Sequence, residues 1–471
     1  MLAPYPNYTP SGLPWAPRIP EGWQVQRNGR LFSHRVETGY PNLPILEVSL
    51  RTGVRVRDMV NGKRKQVMSA KEKYKRAVKG DIAYNMMRMW QGAVGPAPTD
   101  GLVSPAYVVV RPHAGVNTTY FSYLFRTASY MQEVNKFSRG IVADRNRLYW
   151  EAFKQMPALV PAAKEQEQIA AYLRAQDARI ARLIKAKRDL VALLKEQKQI
   201  IIERLITQGL DDSAPRIASK IDWVPAIPAH WGQFKIKHIA LFNPSRTESA
   251  ARRLSDDMVS FVPMEAISVE GVLGVVERRK AAEVWEGYTY FRRNDVVMAK
   301  ITPCFENGKG GLLNKLPTDI GFGTTEFIVL RARESRVRPA FLARVLSLKT
   351  FRNRGADAMT GAAGQQRVPL AFVKGFEIAL PPLDEQDRIL AALEVATTEQ
   401  DVALQRVGNE ITLLREYRDR QIADVVTGQI DVRYWQPDSE DPITEEDLTA
   451  LGDDDDNDTT EEETDGDDGH D

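Results

Sequence analysis

Eleven residues of this chain are met twice. Pro161, Glu165, Gln166, Ile169, Leu173, Leu193, Leu194, Glu196, Ile202, Thr207 and Asp211 return as Pro381, Glu385, Gln386, Ile389, Leu393, Leu413, Leu414, Glu416, Ile422, Thr427 and Asp431, at one constant offset and without a gap. An internal repeat constrains architecture before any local propensity does. A two-fold repeat of this length is no solenoid. It predicts one chain built like a symmetric dimer.

The repeated segments read as two long helices, from about 165 to 206 and from about 385 to 426. At ~1.5 Å per residue each is about 63 Å long. Pro161, Pro381 and Pro382 stand just ahead of them, and Gly209 and Gly428 at their ends, which are ordinary start and stop signals. Apolar residues alternate at spacings of four and three. The first seam holds Ile169, Leu173, Ile180, Leu183, Leu190, Leu194 and Ile201. The second holds Ile389, Leu393, Ala396, Leu404, Val407, Ile411, Leu414, Ile422 and Val425. A long helix with an exposed apolar stripe is unstable or adhesive, so two equal seams in one chain are expected to bury each other as an antiparallel pair. The competing reading packs each helix on its own domain.

The stretches before the helices also correspond. Trp15-Ala16-Pro17-Arg18-Ile19-Pro20-Glu21-Gly22-Trp23 matches Trp223-Val224-Pro225-Ala226-Ile227-Pro228-Ala229-His230-Trp231. Gly80-Asp81-Ile82 matches Asn294-Asp295-Val296, and 101–110 matches 321–330. Short β-type runs such as Tyr107-Val108-Val109-Val110 and Phe327-Ile328-Val329-Leu330 are broken by Gly and Pro. The expected class is α+β: two repeated mixed α/β domains separated by two long helices forming an antiparallel coiled coil, with a pseudo-two-fold internal repeat.

Composition removes several classes of function. The one cysteine, Cys304, excludes internal disulfides and a multi-cysteine zinc site, and the five histidines lack metal-ligand spacing. No apolar run is long enough to span a membrane and no secretion signal is evident at Met1–Pro20, so a cytoplasmic location is expected. No phosphate-binding Gly-x-x-x-x-Gly-Lys loop, cofactor turn or nucleophile elbow is present. Asn243-Pro244-Ser245 lacks the second proline and aromatic of an amino-methyltransferase motif. The net charge of +1 hides an asymmetry. Residues 437–471 carry 18 of the 63 acidic residues and no Lys or Arg, leaving 45 acidic against 64 basic residues elsewhere, a surplus of 19. A basic body suits a polyanion. The acidic tail is expected to be disordered, either merely solvating or competing for the basic faces.

Basic and amide residues cluster on the Gly- and Pro-broken segments of both domains. The first offers Lys63, Arg64 and Lys65, then Asn85, Arg88, Trp90 and Gln91, then Arg145 and Arg147. The second offers Lys300, Thr302, Asn307, Lys309, Arg352, Gln365, Gln366 and Arg367. Lys and Arg neutralise phosphate, Arg reads guanine with a planar fork, and Asn or Gln reads adenine. These are the candidate DNA-binding residues; a solvated surface charge is the alternative for any one of them.

Together these features resemble the specificity subunits of type I restriction-modification systems, from Trp15 to Asp431. The resemblance rests on the paired Trp-x-Pro-x-Ile-Pro-x-x-Trp entries, the two Pro-x-x-x-Glu-Gln helix starts and the Thr-plus-Gly exits. It rests also on Val262-Pro263-Met264-Glu265-Ala266-Ile267, Ile301-Thr302-Pro303, Asn307-Gly308-Lys309 and Gly364-Gln365-Gln366-Arg367-Val368-Pro369. Arg145-Asn146 stands where the second copy has Gln365-Gln366. The resemblance implies target-recognition domains at 1–160 and 212–380 and spacer helices at 161–211 and 381–436; the acidic tail at 437–471 is not something it requires. It implies a non-catalytic subunit in which each recognition domain reads half of a bipartite, asymmetric site in double-stranded DNA. Helix length would set the spacing of the halves. Two methyltransferase subunits would dock on the helices, and restriction (motor-nuclease) subunits would join them. The chain itself would need no cofactor; S-adenosylmethionine and ATP with Mg would bind the partners. Residues expected to form the helix pair and its partner face are Glu165, Gln166, Ile169, Leu173, Leu194, Glu385, Gln386, Ile389, Leu393 and Leu414. The rivals are a coiled-coil scaffold with two non-DNA-binding globules, and a methyltransferase whose motif is not evident.

Overall fold

The computed structural model describes residues 3–50, 53–57, 71–140, 146–268, 274–362, 364–437 and 451. The expected tail, 437–471, thus lies almost wholly outside the described residues. The chain divides into two compact units, Met1–Leu190 with Val407–Asp471, and Val191–Arg406. This division differs from one made in chain order, because each unit takes part of both long helices.

In the first unit an antiparallel sheet runs in the order Phe32–Arg35, Tyr107–Pro112, Ile82–Asn85, Val94–Pro96. Tyr107 to Val110 are all buried because the sheet is covered on both faces. Side chains alternate across a strand. Ile82, Tyr84, Val108 and Val110 enter the larger core with Phe32, Phe121 and Phe125, whereas Ala83, Tyr107 and Val109 join Leu46 and Val48 on the other face. The helix Thr118–Phe125 covers the larger core. Its N-cap Asn117 accepts from the Tyr120 amide, satisfying one of the unpaired donors of the first turn.

The second unit has a sheet of the same strand order: Ala240–Phe242, Phe327–Ala332, Val296–Ala299, Gly310–Leu312. Val296, Met298, Ile328 and Leu330 face the larger core, and Val297, Phe327 and Val329 the smaller. A further sheet, Glu277–Lys280, Met258–Val262, Ile320–Gly323, Thr289–Arg292, is built around Phe261, Trp285, Tyr290 and Phe322.

The long helices are Ala163–Gln208 and Leu383–Val426. Within the first unit Asp177 pairs with Arg418 at 2.7 Å and Lys187 with Glu410 at 2.6 Å, so the helices run in opposite directions there. Within the second, Lys198 pairs with Asp401, and Ile202 and Ile206 share a core with Ile389 and Leu393.

The heptad reading needs correction at its middle. Leu183 and Leu190 are 46% and 43% exposed, and Ala396 is exposed. On the first helix burial instead follows Ile169, Ala170, Leu173, Ala178, Ile180, Ala181 and Ile184. This strip is broader than an a/d seam and includes three alanines. Leu194 and Leu414 are half-buried.

Each helix start is fastened to its own unit. Gln166 is buried; its Oε1 accepts from the Asn117 amide at 2.9 Å and its Nε2 donates to Pro161 O at 2.9 Å. Gln386, also buried, accepts from the Arg338 amide at 2.8 Å and donates to Pro381 O and Arg336 O, both at 2.9 Å. Glu165 accepts from Tyr5 Oη and Trp23 Nε1, and Glu385 from Trp231 Nε1 while its other oxygen contacts His230 Nε2. These four residues therefore join helix to globule, and the buried glutamines present no surface to a partner. The helix exits meet the same indoles. Gly428 has φ +74°, and a Cβ there would lie 2.3 Å from Pro20 and 3.4 Å from Trp23. At Gly209, φ +77°, a Cβ would lie 3.1 Å from Trp231. Only glycine suits both the conformation and the space.

Asp177 also accepts from Tyr123 Oη at 2.8 Å, tying both helices to the first unit's globule. Replacing it with Ala would leave the Arg418 guanidinium with the exposed Asp419 carboxylate at 3.4 Å and close to Arg126, whose own pKa is pushed down to about 10 by burial and by Arg418. Asp177→Ala is expected to cost about 3–5 kcal/mol. Amide hydrogen exchange should quicken across residues 118–125 and 172–184 and stay unchanged in 191–406.

Candidate nucleic-acid interface

In the second unit four segments converge on Lys300. The Lys300 amide donates to Glu326 O at 2.9 Å, and its own carbonyl accepts from the Val368 amide at 2.8 Å. Beyond it the Thr302 amide donates to Gln366 O at 3.0 Å, and the Gln366 amide returns a bond to Thr302 Oγ1 at 3.1 Å. Lys300 Nζ reaches Thr325 O at 2.8 Å, and Lys309 Nζ reaches Met264 O at 3.4 Å. Thus 300–302, 324–326 and 366–368 are joined by three backbone bonds, and the side chains of Thr302, Lys300 and Lys309 add further bonds that bring in 264. Backbone bonds fix position whatever the side chains do.

Arg367 lies on this frame. Its backbone exchanges both hydrogen bonds with Thr360, and its guanidinium meets the Glu326 carboxylate through Nε and Nη2 at 2.8–3.2 Å. That contact holds the Glu326 carboxyl below its ordinary value, since the bonded partner favours the charged form. Asn307 and Gln365 are exposed; Thr302, Gln366 and Lys309 are half-buried. Arg352 is half-buried against Gly308, where a Cβ would lie 2.6 Å from Nη1. Burial pushes its guanidinium pKa down. Arg352, Lys309, Lys315 and Lys349 line a cleft of about 1740 Å³ that also includes Lys195 and Lys198 of the first long helix.

The first unit builds the corresponding frame with other side chains. The Leu148 amide donates to Met86 O at 2.8 Å, and Arg147 exchanges backbone bonds with Arg139. Lys75 Nζ reaches Pro105 O and Tyr107 O, each at 2.7 Å, and burial lowers its pKa. One sequence candidate proves to be internal, and a second is half-buried. Asn85 is 3% exposed and accepts from the Met87 amide at 2.9 Å. Trp90 packs on the core and donates to Met87 O at 2.9 Å. Asn85 shapes a turn instead of facing a ligand, because a polar group just behind a buried strand is drawn to the nearest unpaired backbone group, and the Trp90 indole N–H is engaged in the same turn. Arg88 and Arg147 are half-buried and Gln91 is exposed. Lys63, Arg64, Lys65 and Arg145 lie outside the described residues.

Two curated proteins of Escherichia coli share sequence with this chain. One is the specificity subunit of the type I restriction enzyme EcoAI, 38% identical over 167 residues, or 35% of this chain and 27% of that protein. The other is the EcoEI specificity subunit, 35% identical over 201 residues, or 41% of this chain and 33% of that protein. This chain is related to the type I restriction enzyme specificity subunits. The matched stretches span only about a quarter to a third of those two relatives' own length. A chain from a solved structure concerned with assembly of the type I R-M system has a TM-score of 0.55 at 14% identity. The match covers 88% of this chain and 99% of that one, so the fold is shared. No family model matches the chain. Among the described residues no helix is long and apolar enough to cross a membrane.

In this specificity-subunit relative, sequence reading passed over Glu326. The signal was present: 321–330 aligns with 101–110, and Glu326 falls opposite Ala106. An acidic residue unmatched within a matched stretch marks a feature of one unit alone. Since the carboxyl is depressed, the Arg367–Glu326 contact is complete at neutral pH and is lost as pH falls through the depressed value. Carbon-13 NMR of the Glu326 carboxyl should give a midpoint below the ordinary 4.5, and Arg367→Ala should raise it toward that value.

Proposed function

We propose that the chain is the DNA sequence-recognition subunit of a type I restriction-modification complex. Each unit carries one target-recognition domain, and each domain reads half of a bipartite, asymmetric site in duplex DNA. The observation that carries this reading is the doubled frame. Arg147 and Arg367 stand at corresponding places, each beside a backbone bond to the segment that leaves a central strand, Leu148 to Met86 and Val368 to Lys300. The kinship with type I specificity subunits supports the same reading. A rigid backbone presenting Arg, Lys, Asn and Gln suits base-edge contact, with neighbouring cations on phosphate.

The two long helices act as an antiparallel coiled coil and as the dock for two methyltransferase subunits, through which restriction subunits join. What supports this is exposed apolar surface on both helices: Leu413 and Tyr417 in the first unit, Leu193 and Ile200 in the second. Residues of this kind, at positions that a solvated helix fills with polar groups, suit a protein partner. S-adenosylmethionine and ATP with Mg are assigned to those partners, and the chain itself performs no chemistry.

Two tests follow. The chain in complex with its methyltransferase subunits should protect two short stretches separated by an unprotected spacer. Arg367→Ala or Asn307→Ala should weaken one stretch by about 1–3 kcal/mol and spare the other. Protection of a single contiguous sequence, or equal weakening of both, defeats the reading. For docking, Leu193→Asp should reduce the methyltransferase stoichiometry from two to one by mass photometry, and Leu193→Asp with Leu413→Asp should abolish it.

A further inference from the structure

Arg367 engages three of its guanidinium N–H groups within the protein. A guanidinium has five N–H groups. Nε–H and one N–H of Nη2 face the two oxygens of Glu326, at 3.0–3.2 Å and 2.8 Å. One N–H of Nη1 donates to the carbonyl of Gln365 at 3.3 Å. The group is planar and its edges are fixed. Nε and Nη2 share the side edge, and the Nη1 hydrogen nearest the chain turns back toward the backbone. What is left is one N–H on Nη1 and one on Nη2, parallel, at the tip of the side chain. The side chain is 45% exposed, so that tip can meet a ligand.

Two parallel donors at the tip match the O6 and N7 acceptors of guanine in the major groove. They could also meet two phosphate oxygens, and charge decides between the two. Phosphate binding gains mainly from net positive charge that displaces counterions. Arg367 is already neutralised by Glu326, so its attraction for phosphate is largely cancelled. A neutral base edge needs the donors and not the charge. The carboxylate also fixes the plane of the fork, a term that a mobile surface arginine would have to supply as lost entropy.

The frame around the pair is rigid. Arg367 is locked to Thr360 through its backbone, and Glu326 is held by its own amide donating to Thr324 Oγ1 at 3.2 Å and its carbonyl accepting from Lys300. The alternative, an ion pair that only stabilises the fold, is weak here. Both members are partly exposed, and pairs of this kind contribute little to stability. The first unit has Ala106 at the place of Glu326, so no carboxylate from that position can orient Arg147.

We infer that Glu326 is a specificity-determining positioning residue, holding the Arg367 fork to read one guanine in the half-site of the second unit. This deepens the proposed function and rests on it. The test uses the full chain with its methyltransferase subunits and duplexes randomised across the footprint, scored by sequencing of the bound fraction. The isosteric Glu326→Gln should reduce the preference for guanine at a single position by about tenfold, within the range of one bidentate contact. Arg367→Ala should remove preference at that same position, and the double variant should be no worse than Arg367→Ala. Arg367→Lys, which keeps the charge and loses the fork, should also lose it. The other half-site, the melting temperature and the salt slope should be unchanged in Glu326→Gln.

The inference is overturned if the two residues act at different positions or additively, or if the position read is not guanine. It is also overturned if Glu326→Gln strengthens binding to all sequences with a steeper salt slope, the mark of a phosphate contact. If Arg367→Ala changes preference and Glu326→Gln does not, the positioning role alone fails. If the wild-type complex selects no split site, the proposed function fails first.

Discussion

A buried glutamine at the start of each long helix organises the rest of the chain. A helix start leaves backbone donors unpaired, and a helix of more than forty residues pivots freely unless its first turn is held in both position and direction. Gln166 and Gln386 do this with one primary amide each. The oxygen takes a backbone N–H at the entrance to a globule helix, and the nitrogen returns a hydrogen to the carbonyl of the proline that precedes its own helix. No other side chain of that length supplies a donor and an acceptor side by side without charge. The preceding glutamate completes the arrangement by binding the indole of an entry tryptophan, and the opposite helix exit, at Gly428 or Gly209, closes against that indole. Helix start, helix exit and entry loop thereby share one fixed point in each unit.

This explains which parts of the structure were legible. Glu165-Gln166 and Glu385-Gln386, the tryptophan entries and the terminal glycines were visible because each makes contacts that few other residues could make. The central strands were legible too. A strand covered on both faces must be apolar throughout, as Tyr107–Val110 and Phe327–Leu330 are. The middle of the helices was not. Spacings of four and three recur by chance in any leucine-rich helix, and nothing in Leu183 or Leu190 distinguishes a residue facing its neighbour from one facing outward. Ala170, Ala178 and Ala181 are among the buried positions, and alanine gives no periodic signal. Asn85 misled for a related reason. Residue types that suit DNA also suit a tight turn, and only burial separates the two uses.

The candidate surface shows a further limit of alignment. Asp81 and Asp295 occupy matching places and both are buried, one at 2% and the other at 1% exposure. Each needs a guanidinium, since an unpaired buried carboxylate is costly. Asp81 takes Arg35, from the edge strand; Asp295 takes Arg331, from a central one. The residue aligned with Arg331 is Arg111, which instead reaches Ser33. In the same way Lys75 caps the carbonyl of Pro105, as Lys300 caps that of Thr325, from a different point in the sequence. The contact is retained while its donor migrates.

That distinction separates frame from reading surface. Where both units rebuild a contact with different residues, the fold requires the contact: the buried aspartate must be paired and the exposed turn must be capped. Where a residue that makes a contact in one unit has no counterpart at the matching position of the other, that position is free to differ between the units. The Glu326–Arg367 pair is of the second kind, with Ala106 in the matching position. The Arg147 frame closes without that carboxylate, through the backbone bonds to Arg139 and the Leu148 bond to Met86. A charged pair whose acidic member is not repeated at the matching position, on a backbone frame that both units build, is what divergence of two reading surfaces on one scaffold produces. Beside those required pairs and caps, backbone bonds that any residue can make hold Arg147 and Arg367 in place, so the side chains above them are left able to change with the sequence they meet.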